Sequence, residues 1–328
     1  MTVMFHSVKS LILSIMVLFL CTPCLAAGEK VVISDAPTLL TALVTIAKEK
    51  GFFDAAGLDV TVAKYATGDE ATKALFANKA DVAIVAETAF VFDSFARQDF
   101  SVFAAIGSWD NEVKIIARKD RGILAPSDLR GKRIATQGKI SVHFFLDLFL
   151  LKHGMTEKDV RISFTKGPEL PKAIAAGEID AFSHRNPFLG QASSMLGDNG
   201  VILSAPGLYL KSFLLVSLNT FIKERPKTIE KLLSALLMAD SYARKNKNEA
   251  IELISAQLKL PTQEIQGVWQ EIDLRLALDQ HLLLTFEEVA RWAMKSRFTD
   301  RTSVPNYLNF IHTDALKVLK PHSVTMIK

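Results

Sequence analysis

Apolar and polar positions along this chain switch repeatedly between two periods. KVVIS (30–34) is a short β-branched run, and LLTALVTIAKEKG (39–51) repeats its apolar residues at helical spacing before a glycine stop. LDVTVAKY (58–65) alternates as a half-buried strand does, DEATKALFANK (69–79) is helical again, and DVAIVA (81–86) is continuously apolar. ETAFVFDSFARQ (87–98) predicts a helix, while SVFAAIG (101–107) and EVKIIARK (112–119) predict strands. The rhythm then restarts. SDLRGKRIAT (127–136) reads as a turn of helix and a strand, and SVHFFLDLFLLKHG (141–154) as a strongly apolar helix. VRISFTK (160–166), LPKAIAAG (170–177) and EIDAFSH (178–184) give strand, helix and strand. PFLGQASSML (187–196) predicts a helix, and GVILS (200–204) and SFLLVSL (212–218) predict strands. From residue 226 the pattern is helical. Two rounds of this alternation predict an α/β protein of two lobes, each a parallel sheet covered on both faces.

One phrase is written twice, as KALFANKADVA (73–83) and as KAIAAGEIDAF (172–182). Asn78 and Gly177 are residues that take the left-handed conformation ending a helix, and Asp81 and Asp180 begin the strand that follows. The matching register predicts two lobes related by pseudo-symmetry.

The start of the chain changes the compartment. LILSIMVLFL (11–20) is apolar apart from Ser14, Lys9 precedes it, and CTPCLAA follows with small residues at its end. This is the plan of a secretory signal peptide over residues 1–27, too short in its apolar part for an ordinary membrane span. An uncleaved anchor and a lipoprotein attached at Cys21 or Cys24 are the alternatives; Leu20 and Pro23 stand where a small residue usually precedes a lipidated cysteine. Both cysteines fall in the segment to be removed, so the mature chain has no thiol for disulfides, nucleophilic attack or metal binding. The remaining sequence predicts an exported protein whose stability rests on its core, since 49% of the residues are hydrophobic. A formal net charge of +4 without long runs of one sign argues against a nucleic-acid partner.

Four phrases in order carry a family resemblance: GFFDAAGLDVTV (51–62), KALFANKADVAIV (73–85), SDLRGKRIAT and AIAAGEIDAF (173–182). They resemble recurring phrases of the periplasmic solute-binding proteins of the nitrate, sulfonate, taurine and thiamine-precursor (NMT1-like) group, and PHSVTMI (321–327) resembles a common ending. The resemblance implies a type II periplasmic binding fold. Its first lobe would hold residues 28–111 and, after the return of the chain, residues 219–328, mostly helical. The second lobe would be residues 112–218, with EVKIIARK and SFLLVSL as the two strands that cross and hinge. The implied function is that of a monomeric periplasmic component of an ABC importer. It captures a small polar or anionic organic solute between the lobes and presents it to the permease. A sensor or accessory binding protein of the same fold is the alternative. An enzyme acting on a thiamine-precursor-like heterocycle is the alternative of another class, although the Cys-rich motif of such relatives is absent. Phosphate-loop, GxGxxG, HExxH and GxSxG patterns are absent too.

Independently of family, open α/β sheets bind ligands beyond the carboxyl ends of their strands. That rule selects Asp35, Pro37 and Thr38 after the first strand, Glu87 and Thr88 after DVAIVA, and Trp109 after SVFAAIG. In the second lobe it selects Gly138, Lys139 and Ser141 in TQGKIS, and His184, Arg185 and Asn186 after EIDAFS. Gly138 permits an unusual turn, and Ser141 can cap a helix whose free amides attract an anion beside Lys139. The fork of Arg185 suits a carboxylate, sulfonate or phosphonate, or an ion pair with Glu87 or Asp35. Glu87 suits a ligand donor or the helix dipole, and Trp109 suits stacking or rim packing. No cofactor or metal is expected: no metal-ligand partner is spaced near His184, and His143 and His153 lie ten apart on an apolar helix.

Overall fold

The computed structural model of the protein describes residues 28–327, so the expected signal peptide lies outside the described residues. Strands β1 (Glu29–Asp35), β2 (Leu58–Lys64), β3 (Val82–Ala86), β4 (Phe100–Trp109), β5 (Lys114–Arg118) and β6 (Arg133–Thr136) come first. They are followed by β7 (Arg161–Phe164), β8 (Ala181–His184), β9 (Gly200–Leu203), β10 (Lys211–Leu218) and β11 (Ile272–Asp273). They form a six-stranded sheet in the order β11-β4-β10-β3-β1-β2 and a five-stranded sheet in the order β7-β6-β8-β5-β9. Each sheet with its helices is one lobe of a mixed α/β protein.

The strands adjoining the cleft correct the expectation of purely parallel sheets. β10 runs antiparallel to β3 and β4, and β5 runs antiparallel to β8 and β9. The cause is entry. β3, β4, β8 and β9 run toward the cleft, whereas β5 and β10 begin at the cleft after a crossing and must run away from it. A second correction concerns the crossing itself. Lys211–Leu218 is hydrogen-bonded wholly within the first sheet and Lys114–Arg118 within the second, so the chain crosses in segments 110–113 and 204–210. The expected edge of the second lobe at 218 therefore falls before β10.

The repeated phrase folds the same way in both lobes. The helices Gly68–Phe76 and Leu170–Ala175 are followed by Asn78 (φ 55°) and Gly177 (φ 75°) in the left-handed region. Lys79 N then donates to Ala74 O (2.8 Å) and Glu178 N to Ala173 O (3.0 Å), closing matching caps. Asp81 brackets β1, donating its N–H to Val32 O and accepting Val32 N at Oδ2 (2.7 Å). Asp180 does the same for β6, with Arg133 N at 2.9 Å. The aspartates are therefore strand clamps at the ends of the sheets away from the cleft.

One apolar core runs through both lobes, from Ile33, Ile84 and Phe103 to Ile115, Phe145 and Phe149. The other face of the second sheet buries Ile116, Ala135 and Phe182 against Leu170, Ile174 and Leu189, as period-two strands require. The helices Pro226–Lys245, Lys247–Leu258, Thr262–Val268 and Gln280–Lys295 return to the first lobe. Among the described residues no helix is long and apolar enough to cross a membrane. Gly107 in β4 lets the turn Leu39–Thr41 lie directly on the sheet: a Cβ there would stand 2.3 Å from Leu40 O.

Candidate functional site

Between the lobes lies a cavity of about 470 Å³. Pro37 and Thr38, just beyond β1, and Trp109, at the end of β4, form its first-lobe wall. Lys114, Arg185 and Asn186 face them from the second lobe. Leu258, Leu260, Ile265 and Val268, from the returning helices, add an apolar wall that also carries the carboxylate of Glu264. The structure thus brings together Pro37, Thr38, Trp109, Arg185 and Asn186.

Each is held by local chemistry. The Thr38 side chain accepts Leu40 N (3.2 Å) as the cap of the Leu39–Thr41 turn. Trp109 Nε1 donates to Glu271 (3.0 Å), which fixes the ring at the cavity edge. Asn186 Oδ1 accepts Gly190 N (3.1 Å) at the start of the helix Phe188–Leu196. Arg185 and Lys114 form no ion pair among the described residues, so two cations, with the Glu264 carboxylate, border a largely apolar space.

Four other expected residues lie buried behind this wall. Asp35 is 2% exposed; Thr41 donates to its Oδ2 (3.1 Å), Oδ1 has no partner among the described residues, and burial pushes the carboxyl up to about 7. Glu87 is fully buried, with one oxygen accepting the Tyr209 hydroxyl and the other Ser212 N. Burial pushes it up to about 7 against the opposing pull of Lys211. Both Glu87 oxygens are thus engaged by the second crossing segment and the first residues of β10; neither faces the cavity, and Arg185 is not its partner. Thr88 is buried in the same helix turn. His184 is 2% exposed, with neither ring nitrogen partnered among the described residues; burial first, and Arg185 second, push it down to about 3, so it stays neutral.

Gly138, Lys139 and Ser141 lie away from the cavity wall. The left-handed residue of their turn is Lys139 (φ 62°), not Gly138. Gly138 matters sterically instead: a Cβ there would press on the exposed Phe164 ring at 3.0 Å. Ser141 is the first helical residue and makes no side-chain cap, because Ile140 occupies the cap position. Lys139 sits over the Phe298 ring, 5.4 Å from its centre.

Sequence reasoning missed the buried ion pair that ties the crossings together. Lys211 pairs with Glu112, both nearly excluded from solvent, and Asp110 accepts Gly207 N (3.1 Å). Burial works against the Glu112 charge, and the Lys211 ammonium outweighs it, holding the carboxyl below its usual range. Lys114 was readable as the polar position of EVKIIARK; the apolar wall from 258 to 268 was not, since it belongs to helices distant in sequence.

The comparisons with known proteins agree with this architecture. A family model described as NMT1/THI5 like matches residues 41–250. A Brucella abortus (strain 2308) protein, named for binding without a stated ligand, is 24% identical over 224 residues, covering 67% of this chain and 68% of its own. The periplasmic aliphatic sulphonate binding protein SsuA from Escherichia coli superposes with TM-score 0.76 at 15% identity, over 87% of this chain and 97% of that one. The alkanesulfonate-binding protein SsuA from Xanthomonas axonopodis pv. citri, bound to MOPS, gives TM-score 0.70 at 17% identity, covering 88% and 98%. The desulfurization enzyme DSZB shares the fold as well, with TM-score 0.64 at 17% identity over 90% and 99%.

Proposed function

Because the chain belongs to the NMT1/THI5-like family, we propose that it is the periplasmic solute-binding component of an ABC importer. Its solute is a small organic anion with an apolar body, held between the lobes and handed to a permease. The observation that carries this reading is the cavity: Arg185 and Lys114, without ion-pair partners among the described residues, stand opposite the apolar side chains of Leu258, Leu260, Ile265 and Val268. An anionic head gains charge-assisted hydrogen bonds from the guanidinium, and an apolar body gains by leaving water. Trp109 offers a flat ring edge to the body, and Thr38 bounds the first-lobe side. Glu87 contributes to the frame rather than to the solute, since its oxygens are engaged. The polar groups at the cavity are two cations, the Glu112–Lys211 pair, helix and turn caps and the Glu264 carboxylate, an arrangement that binds and orients rather than one that activates a nucleophile; the chain acts as a binding protein and not as an enzyme.

Native mass spectrometry of the protein purified from its own host identifies the retained solute. The expected solute is anionic at neutral pH. Titration of Arg185→Ala is expected to show a loss of about tenfold to a hundredfold in affinity, the worth of hydrogen bonds to a charged group. A cationic solute, or unchanged affinity in both Arg185→Ala and Lys114→Ala, overturns the reading.

A further inference from the structure

The apolar helix Ser141–Lys152 carries a polar cluster that the cavity does not use. His143 and Asp147 are one helical turn apart and therefore share a face. Glu157, in the turn that follows, joins them: one ligand atom from each of the three lies within 4.8 Å of the other two. His143 is fully buried, and its Nε2 lies 2.7 Å from a Glu157 oxygen, whose side chain is 41% exposed. One Asp147 oxygen accepts from Trp292 Nε1 of the first lobe. The other, Oδ1, is shut off from solvent and has no hydrogen-bond partner among the described residues. Two carboxylates beside a buried imidazole concentrate negative charge, which a shared proton or a cation offsets.

We propose that His143, Asp147 and Glu157 form a binding site for one divalent transition-metal ion at the contact between the lobes. The donor set decides the class. One imidazole nitrogen with two carboxylate oxygens suits zinc, cobalt or nickel, whereas calcium and magnesium prefer oxygen alone. Three protein ligands leave a position for water, and the exposed side of Glu157 gives the ion a way in. Trp292 supplies the outer hydrogen bond that orients a ligating carboxylate, and it leaves Oδ1 of Asp147 for the ion. Phe164 and Phe298 pack on His143, with ring centres at 5.0 and 5.4 Å, and enclose the imidazole in an apolar shell. An ion held at Nε2 requires the neutral His143 ring to carry its proton at Nδ1. This breaks the bond that Nδ1 accepts from Lys139 N, a long one at 3.3 Å.

The test uses the untagged mature chain, stripped with a chelator. Cobalt(II) titration, followed by visible absorption and tryptophan fluorescence, is expected to saturate at one ion per chain, with zinc competing. Glu157→Gln and Asp147→Asn are expected to weaken zinc by about tenfold or more, and Trp292→Phe by roughly tenfold, as outer-sphere partners do. Glu157 is partly exposed, so Glu157→Gln keeps the fold, which circular dichroism checks. Absence of saturable uptake by the wild type overturns the proposal and leaves a shared proton as what joins the carboxylates. Uptake that is equally strong in Glu157→Gln and Asp147→Asn overturns it as well, by placing the ion elsewhere.

Discussion

Glu87 stands at the carboxyl end of β3, the position that its place in the sequence indicated, yet its role is set by residues far along the chain. Tyr209 and Ser212 take both of its oxygens. Burial pushes the carboxyl from an ordinary 4.5 up to about 7. The unfolded chain therefore releases this proton at lower pH than the folded one. The stability held by protonated Glu87 is complete below the unfolded value and is lost as pH rises through about 7, on the order of 3 kcal/mol at most. Glutamine at this position keeps an acceptor oxygen and cannot ionise. Glu87→Gln is expected to melt at or below the wild type near pH 5 and to gain on it steadily toward pH 8. Melting curves of the two proteins that stay parallel across this range rule the assignment out. The sequence marked where a polar side chain would stand; it did not reveal what reaches that side chain, because a strand-end position says nothing about the crossing segment that covers it.

At the scale of elements, periodicity located the strands and helices well, and the two copies of the repeated phrase carry the same caps and the same aspartate clamp. Strand direction was not legible, because it depends on which end of a sheet the chain enters, and that is decided by the crossings. TQGKIS shows the same limit more finely. Glycine was the right signal at 138, but the space it leaves is for Phe164, a residue of β7. Gly107 has a comparable part with a larger consequence. Its missing Cβ admits the backbone of Leu40, and the Leu39–Thr41 turn capped by Thr38 rests on that contact. The neighbour here is backbone and cannot swing aside. Gly107→Ala is expected to cost about 2–3 kcal/mol, as overpacking does, and to weaken solute binding by displacing Thr38 from the cavity wall. Denaturant unfolding together with a binding titration checks both effects; an alanine variant of wild-type stability contradicts the close approach.

On the scale of the whole molecule, the lobes meet along two lines, the first of which borders the cavity. One line is the pair of crossings, where Glu112–Lys211 and Asp110–Gly207 join the segments to each other and Glu87 ties the second segment to the first lobe. The other is an aromatic contact: Trp292 of the first lobe packs on His143 and Phe144 of the second, with ring centres at 5.2 and 5.3 Å, and donates to Asp147. The crossings are covalent and persist in any arrangement. The aromatic contact is not, so it is the part that must break if the lobes are to part about the crossings and let a solute in. Removing the Trp292 ring deletes the larger ring and the hydrogen bond on that line, keeps only Phe298 of the first lobe on His143, and leaves the crossings intact. Small-angle scattering of solute-free Trp292→Ala is therefore expected to give a larger radius of gyration than the wild type, with addition of the retained solute drawing it back toward the wild-type value. A cooperative melt shows that the variant is folded when it is measured. Superimposable profiles of the two solute-free proteins place the resistance to opening in the buried ion pair of the crossings instead, and the aromatic line then has no part in closure.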